Sequence, residues 1–105
     1  MGRWAQQRRR GGGGQPPPSL AHLVDGLIDV VQPSMVHFTY SAPVSGLLPG
    51  NFAVPVDTAF GQILTTVDAT HIDVLFDNDV FDGHTAEYTG STPGVLTPDS
   101  IVLHS

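Results

Sequence analysis

The spacing of the apolar residues changes at Pro33 and separates a predicted helix from a predicted sheet. Before Pro33 the apolar residues recur every three or four positions, which is typical of one face of an α-helix. Asp25 and Asp29 fall on the opposite, solvated side, and Ser19 is a good N-cap. The pattern therefore predicts an amphipathic helix that ends before Pro33. Its apolar positions are Leu20, Leu23, Val24, Leu27, Ile28 and Val31.

After Pro33 apolar and polar residues alternate, which is the period of a strand with one buried face. In the stretch 71–76 the three apolar side chains at 72, 74 and 76 point to one face, and His71 and Asp73 point to the other. Pro55 cannot donate to a β-ladder, so the strand that contains it is predicted at a sheet edge. The predicted strands are 36–40, 52–56, 63–67, 71–76, 85–89, 95–97 and 101–103.

Together these elements predict an α+β domain that is mostly β, in which one N-terminal helix precedes a β-meander or a small, partly open barrel. Residues 19–105 form this single domain. Residues 1–18 precede it as an arm, because four consecutive glycines and three consecutive prolines cannot build a core. The sequence predicts that this arm is disordered and flexible.

Every Lys or Arg side chain of the protein lies in the arm. The four are Arg3, Arg8, Arg9 and Arg10, whereas residues 11–105 carry all ten carboxylates and a formal charge of −10. Because a soluble surface usually mixes both signs, this separation indicates that the arm reaches an acidic partner. A domain of about 87 residues also has a small core. We therefore expect it to gain stability from self-association, from cations or from other subunits.

The arm also has the composition of a weak nucleic-acid-binding tail. Arg8, Arg9 and Arg10 can contact phosphates without sequence preference, and Trp4 can stack on a base. Three alternatives stay open: the arm folds back on its own domain, it binds a neighbouring subunit, or it is extra sequence upstream of a natural start at Met35.

The sequence offers no recognisable catalytic arrangement. It has no cysteine or lysine, and it lacks the G-x-S-x-G elbow, the G-x-G-x-x-G turn and the Walker sequence. No segment has the apolar core of a signal peptide, and none approaches the ~20 apolar residues of a transmembrane helix. We therefore expect a protein that is not an enzyme, needs no cofactor and does not contact a membrane.

Carboxylates are concentrated in one stretch of the acidic domain. Asp73, Asp77, Asp79 and Asp82 are candidate ligands for Ca²⁺, which prefers several oxygen atoms from a loop. The spacing differs from that of an EF-hand, so a solvated loop is the alternative interpretation. His71 and Asp73 with a third group could instead hold Zn²⁺ or Fe²⁺, although no compact metal motif surrounds them. A cation at this stretch would make the domain a small divalent-cation-dependent binding module.

Two later segments and the order of the elements resemble the head–tail joining proteins, also called neck or stopper proteins, of long-tailed bacteriophages. The first segment is residues 71–78, HIDVLFDN, which is similar to a V-x-F-D-[ND] strand end in those proteins. The second is residues 91–101, STPGVLTPDSI, which is similar to their Ser-x-Pro segment. The predicted N-terminal helix followed by a strand adds to the likeness. The resemblance implies a β-rich subunit that assembles as a ring between portal and tail and carries no catalytic residues.

The resemblance and the charge separation favour a non-enzymatic structural protein of a phage-like virion, assembled in the host cytoplasm. A capsid decoration subunit whose arm orders on docking is the alternative. Its partners would be copies of itself and other particle subunits, bound through the arm, an apolar loop and an unpaired terminal strand. The candidate contact residues are Trp4, Arg8, Arg9 and Arg10 in the arm, Val44, Leu47, Leu48 and Phe52 in the loop, and Ile101 and Leu103 in the strand.

Overall fold

Seven strands turn their alternating apolar side chains into one common core. The computed structural model describes residues 20–105, which form a seven-stranded antiparallel sheet that curls into a nearly closed barrel. The mostly β architecture is confirmed, and of the two predicted arrangements the barrel is the one found. The strands are β1 (Leu23–Ile28), β2 (Met35–Tyr40), β3 (Phe52–Val54), β4 (Ala59–Thr66), β5 (His71–Phe76), β6 (Thr85–Tyr88) and β7 (Asp99–Val102).

The strands do not follow one another across the sheet, so the predicted meander is wrong. Their order is β1-β2-β5-β4-β3-β6-β7. The alternation of β2 matches that of β5, with His37 opposite Asp73 on the outer face and Phe38 opposite Ile72 on the inner face. The β2–β5 pair and the β3–β6 pair join strands that are distant in sequence. Such pairing depends on which faces are buried together, and local spacing does not encode it.

The barrel closes between its first and last strands through a few hydrogen bonds rather than a full ladder. The N–H of Ile28 donates to the carbonyl of His104 (2.7 Å), and the N–H of His104 donates to the carbonyl of Gly26 (3.0 Å). Strand β7 is paired with β6 on its other side. Towards β1 the hydrogen bonds are made by His104 rather than by residues 101–103, so the prediction that these residues present an unpaired edge stays a prediction.

Aromatic rings fill the centre of the barrel. The ring centroid of Phe52 lies 5.1 Å from that of Phe38 and 4.7 Å from that of Tyr88, and Phe38 also packs edge-on against Phe76. None of these four side chains is more than 3% exposed. Buried aromatic side chains contribute large apolar areas, so this cluster supplies much of the stability of a small core.

Strand β1 replaces the predicted N-terminal helix, and residues 20–105 contain no α-helix. A helix would have buried all six apolar positions, but only Leu23 and Ile28 are buried, while Val31 is 89% exposed. Gly26 lies between the two buried residues and approaches Leu103 so closely that a β-carbon would sit 2.6 Å from its Cδ2 atom. A short helix containing glycine is marginal by itself, so pairing with β2 and this close contact decide the conformation.

Strand β3 lies inside the sheet rather than at its edge. It pairs with both β4 and β6 and ends at Val54, because Pro55 begins a 3-10 turn (Pro55–Asp57) and never enters the ladder. Residues 95–97 do not form the predicted strand, since Val95 makes only an isolated bridge. The stretch 71–76 coincides with β5, and its predicted inner and outer faces are confirmed.

Candidate functional site

The outer face of the sheet holds a histidine between two carboxylates. Strand β2 buries the residues on either side of His37, so this side chain points outward. Its Nδ1 atom lies 2.7 Å from Asp73 on β5, and its Nε2 atom lies 3.0 Å from Asp29, which follows β1. Ionised carboxylates only accept hydrogen bonds, so both ring nitrogens must donate. The arrangement is therefore that of an imidazolium held by two carboxylates, one on β5 and one just after β1.

The two carboxylates raise the pKa of His37, as expected for an imidazolium held between two negative charges. The hydrogen bond to Asp73 is the main cause that raises the pKa of His37, with Asp29 adding to it and partial burial opposing it. The hydrogen bond from His37 and the N–H groups of Gln32 and Val31 lower the pKa of Asp29. Both shifts favour the charged forms, which bind each other.

A second histidine–aspartate pair lies beside the first across a shallow groove. His71 donates from Nδ1 to Asp68 (2.8 Å) in the turn between β4 and β5, and this hydrogen bond lowers the pKa of Asp68. The groove has a volume of about 350 Å³ and is open to solvent. Its lining residues are His37, Phe38, Val67, Asp68, His71 and Asp73.

Two further histidines join elements elsewhere on the barrel. His84 contacts both carboxylate oxygens of Asp57 at 2.9 and 3.0 Å, and His104 contacts Asp25 at 2.5 Å across the seam between β1 and the chain end. The hydrogen bond to Asp25 raises the pKa of His104. Because residues 11–105 contain no Lys or Arg, histidine is the positive partner of the carboxylates that Lys or Arg usually provides in a sheet.

These pairs join neighbouring strands, turns and connections of the barrel. In residues 20–105 the hydroxyl groups near the pairs, such as that of Thr70 beside His71, hydrogen-bond within their own turn. A nucleophile needs a base that is free to take its proton; both ring nitrogens of His37 are engaged by carboxylates, whereas His71 and His84 are held only through Nδ1. The arrangement can stabilise strand pairing and respond to pH, and the groove can accept a polar or cationic group at its surface.

The structure does not bring the four proposed metal ligands together. Asp73 binds His37, the Oδ1 atom of Asp77 accepts the N–H of Phe60 (2.8 Å), and the Oδ1 atom of Asp82 accepts the N–H of Ser105 (3.1 Å). Within the part of the chain that the structure describes, no group of three or more His, Cys, Asp or Glu residues is arranged to hold a metal ion. Asp79, the remaining one, is exposed on the loop after β5.

Three connections at one end of the barrel form a hydrogen-bonded surface that we call the loop rim, comprising residues 29–34, 55–58 and 77–84. The N–H of Val80 donates to the carbonyl of Pro33 (3.0 Å), and the Nδ2 atom of Asn78 donates to the carbonyl of Thr58 (2.8 Å). His84 reaches Asp57 within the same rim. The three connections thus hold one another in place.

The loop rim combines exposed apolar side chains with carboxylates. Val30, Val31, Val56 and Phe81 are 78%, 89%, 67% and 57% exposed, which is unusual for four large apolar residues on adjoining loops. Phe81 also packs edge-on against His84, with the ring centroids 5.9 Å apart. The aspartates of the rim are Asp29, Asp57, Asp77, Asp79 and Asp82. Sequence reasoning found three of these carboxylates but not the apolar residues that the fold places beside them.

The predicted contact residues of the apolar loop and terminal strand fall into two groups. Phe52 and Leu103 are at most 1% exposed and Leu47 is 9% exposed, so these three belong to the core. Val44 and Ile101 are half-buried against the same core, whereas Leu48 is 62% exposed. The arm residues Trp4, Arg8, Arg9 and Arg10 lie outside the described residues.

The two segments that carry the phage resemblance fasten the ends of the barrel. At the end of β5, Asp77 binds Phe60 at the start of β4, and Asn78 binds Thr58 on the connection before it. In residues 91–101, the Asp99 carboxylate accepts the N–H of Leu23 at 2.7 Å, which joins β7 to β1. These residues therefore have structural roles that do not depend on any chemistry at a site.

The histidine–aspartate pairs are the feature that sequence reasoning missed. His37 and Asp73 are 36 residues apart in sequence and meet only because β2 and β5 pair in one register. The signal in the sequence was its composition. A domain with ten carboxylates and no Lys or Arg has only its five histidines as possible positive partners for those carboxylates.

Comparison of the chain with known protein families, with curated proteins and with solved structures finds no significant match. Residues 20–105 include no helix with the length and apolar character needed to cross a membrane.

Proposed function

We propose that this protein is a non-enzymatic assembly subunit, in which the basic arm of one copy docks on the loop rim of a neighbouring copy. The observation that carries the proposal is the pairing of opposite features: the rim presents carboxylates beside exposed apolar side chains, and the arm presents arginines beside a tryptophan. Charge complementarity of this kind selects partners and speeds their encounter.

The chemistry of the two surfaces matches group by group. Arg8, Arg9 and Arg10 can pair with the carboxylates of the rim, among which Asp79 has no hydrogen bond to the rest of residues 20–105. Trp4 can pack on the exposed ring of Phe81 or on Val56. Tryptophan and arginine are the residue types that most often dominate binding energy at protein interfaces.

The more specific form of the proposal is a neck or head–tail joining subunit of a phage-like particle. Its support is the resemblance of residues 71–78 and 91–101 to that family, without the N-terminal helix that the resemblance also implied. A ring of subunits requires the head-to-tail type of contact that an arm reaching a neighbour's rim provides.

The fluorescence of Trp4 tests arm docking, because it is the single tryptophan of the chain. In the full-length protein at low salt we expect Trp4 emission to be blue-shifted and to depend on protein concentration, as docking between copies requires. At about 1 M NaCl, where the Debye length is about 3 Å, the emission should move to that of a hydrated indole.

Matched variants separate docking on the rim from general charge effects. Asp79→Asn and Phe81→Ala should each shift the salt-induced change to lower NaCl concentration, whereas Glu87→Gln removes an equal charge from β6, outside the rim, and should leave it unchanged. Emission of a hydrated indole at every salt and protein concentration would show that the arm does not dock.

A further inference from the structure

Strand β4 is longer than the strand that covers one of its two edges. On one side β4 pairs with β5 from Gly61 to Thr66, whereas on the other side β3 covers only Ala59 and Phe60. No strand of residues 20–105 pairs with the remaining part of this edge, and the two isolated bridges of the structure lie elsewhere. Residues 62–66 thus have no strand paired with them on this side, and we call them the β4 edge. The irregular segment 44–51 contacts the chain at both ends of this edge, where the N–H of Val44 donates to the carbonyl of Ala69 (2.8 Å) and Pro49 lies against Gly61.

The backbone groups that point away from the barrel at this edge can be identified from the register. The N–H of Val67 donates to the carbonyl of His71 on β5 (2.9 Å), and Thr65 is opposite Asp73. Backbone groups alternate between the two sides of a strand, so the N–H and C=O groups of Leu64 and Thr66 point away from β5. These four groups make no hydrogen bond with any other part of residues 20–105.

The β4 edge also lacks the features that usually prevent strand pairing. Residues 62–67 contain no charge and no proline, and the bulge of β4, between Gly61 and Ile63, leaves residues 64–67 in regular register. Ile63, Thr65 and Val67 are β-branched and exposed, and Ile63 and Val67 keep 56% and 59% of their surface accessible. A charge-free, β-branched edge of this kind is a template for an added strand.

We propose that the β4 edge pairs with the same edge of a second copy, antiparallel and around a two-fold axis at Thr65. Leu64 of each copy then lies opposite Thr66 of the other copy. These two residue pairs form four hydrogen bonds, which use the four free N–H and C=O groups of each copy. On the outer face Ile63 lies opposite Val67 of the second copy, and Thr65 lies opposite itself. Each of these cross-strand pairs therefore joins two β-branched side chains.

Repulsion between two acidic domains is weaker at this edge than over most of their surfaces. Two acidic domains repel each other over most of their surfaces, because residues 11–105 carry a formal charge of −10. The five residues of the β4 edge carry no charge, and in the proposed register Asp68 lies opposite Gln62 rather than another carboxylate. This inference rests on the proposed assembly function and adds an isologous contact to the arm–rim contact.

Sedimentation of the full-length protein in about 1 M NaCl tests the pairing, because that salt concentration screens arm docking and leaves backbone pairing intact. We expect a dimer whose stability Thr65→Lys weakens about tenfold or more, since each lysine faces its own copy across the axis. In its own sheet the new lysine lies opposite Asp73, a favourable pair. Thr39→Lys places the same charge on the same outer face, away from the edge, and should dimerise like the wild type.

A second variant tests the backbone groups directly. Thr66→Pro removes an N–H that points to the free edge and no hydrogen bond between β4 and β5, so the barrel should fold and the dimer should be lost. Thr66→Val keeps the N–H and should retain the dimer. Circular dichroism and melting of each variant report on folding.

Two results would overturn the inference: a wild type that stays monomeric in high salt, or a dimer that Thr65→Lys and Thr66→Pro leave intact. Neither result affects the Trp4 measurement at low salt, so the failure of this contact and the failure of arm docking can be told apart.

Discussion

His37 shows how single residues supply positive charge to this acidic domain. It holds Asp73 and Asp29 on two neighbouring elements and is only partly exposed, with 38% of its side chain accessible. The same device recurs at His71, His84 and His104, each beside one carboxylate. A chain without Lys or Arg in its folded part thus depends on imidazoles, whose charge changes in the range in which most proteins are studied.

The stability of the domain should therefore depend on pH between 5 and 8. The raised pKa of His37 stabilises the fold fully below its ordinary value of about 6.5, and this contribution is lost as pH rises through the raised value. The lowered pKa of Asp29 acts only at acidic pH, where its contribution is lost as pH falls below about 4. We expect the melting temperature to be highest near pH 5–6 and to fall toward pH 8.

His37→Gln should flatten this pH dependence, leaving the part that the raised pKa of His104 contributes. His22→Gln is the matched control, because His22 is exposed and contacts Ser41 rather than a carboxylate. Equal slopes of melting temperature against pH for wild type and His37→Gln would contradict the role given to His37.

The outward position of His71 and Asp73 follows from alternation alone, and sequence reasoning placed both correctly. The partner of Asp73 did not follow, because His37 reaches it only through the register of two distant strands. A local period fixes the face on which a side chain lies, whereas its contact depends on which strand pairs beside it. The candidate site could therefore be predicted in its residue types but not in its pairs.

Strand β1 is the element in which local pattern and tertiary structure disagree. Its apolar residues fit a helical spacing and also, in part, a strand spacing. In short apolar segments of this kind the spacing does not decide between helix and strand. Gly26 resolves the ambiguity, because its missing side chain lets Leu103 and Ile101 pack against the strand. The other strands were predictable since their alternation had no competing helical period.

Gly26→Ala tests the conformation of β1 by the sign of its effect. In the observed strand the new methyl group would lie 2.6 Å from Leu103 Cδ2 and 3.3 Å from Ile101 Cγ2, which should destabilise the domain by about 1–3 kcal/mol. In a helix the same change would stabilise by about 1 kcal/mol. Denaturant unfolding measures the difference.

Gly50→Ala is the control, since a β-carbon at Gly50 meets no atom within 4 Å and should change stability little. Adding Leu103→Ala to Gly26→Ala removes the clashing atom, so the double variant should be less destabilised than the sum of the single changes. A stabilised Gly26→Ala protein would mean that the segment is helical in solution.

The whole molecule combines a small aromatic core with an acidic surface that opposes compaction. Ten carboxylates lie in residues 11–105, and the described histidine pairs offset only some of them. Self-repulsion of this kind weakens a fold without altering any one contact. Composition alone predicted this property, because it depends on the sum of charges rather than on where the strands pair.

At a protein concentration too low for arm docking between copies, the melting temperature at pH 8 should therefore rise as NaCl is increased from a few millimolar to about 0.15 M, which shortens the Debye length to about 8 Å. Asp79→Asn removes a carboxylate that has no hydrogen bond within residues 20–105. It should raise the melting temperature at low salt and reduce the dependence on NaCl. Asp99→Asn removes the same charge but also weakens the hydrogen bonds that the Asp99 carboxylate accepts from the N–H groups of Leu23 and Ser100. This loss should cost about 1 kcal/mol.

The two variants should thus shift the melting temperature in opposite directions although each changes the net charge by one. A decrease for both would mean that local contacts outweigh the repulsion, and a melting temperature that falls with added NaCl would mean that attraction within the histidine–aspartate pairs dominates. In either case the acidic surface would not be the reason that the domain gains from a partner, and assembly would have to be explained by the β4 edge and the apolar residues of the loop rim.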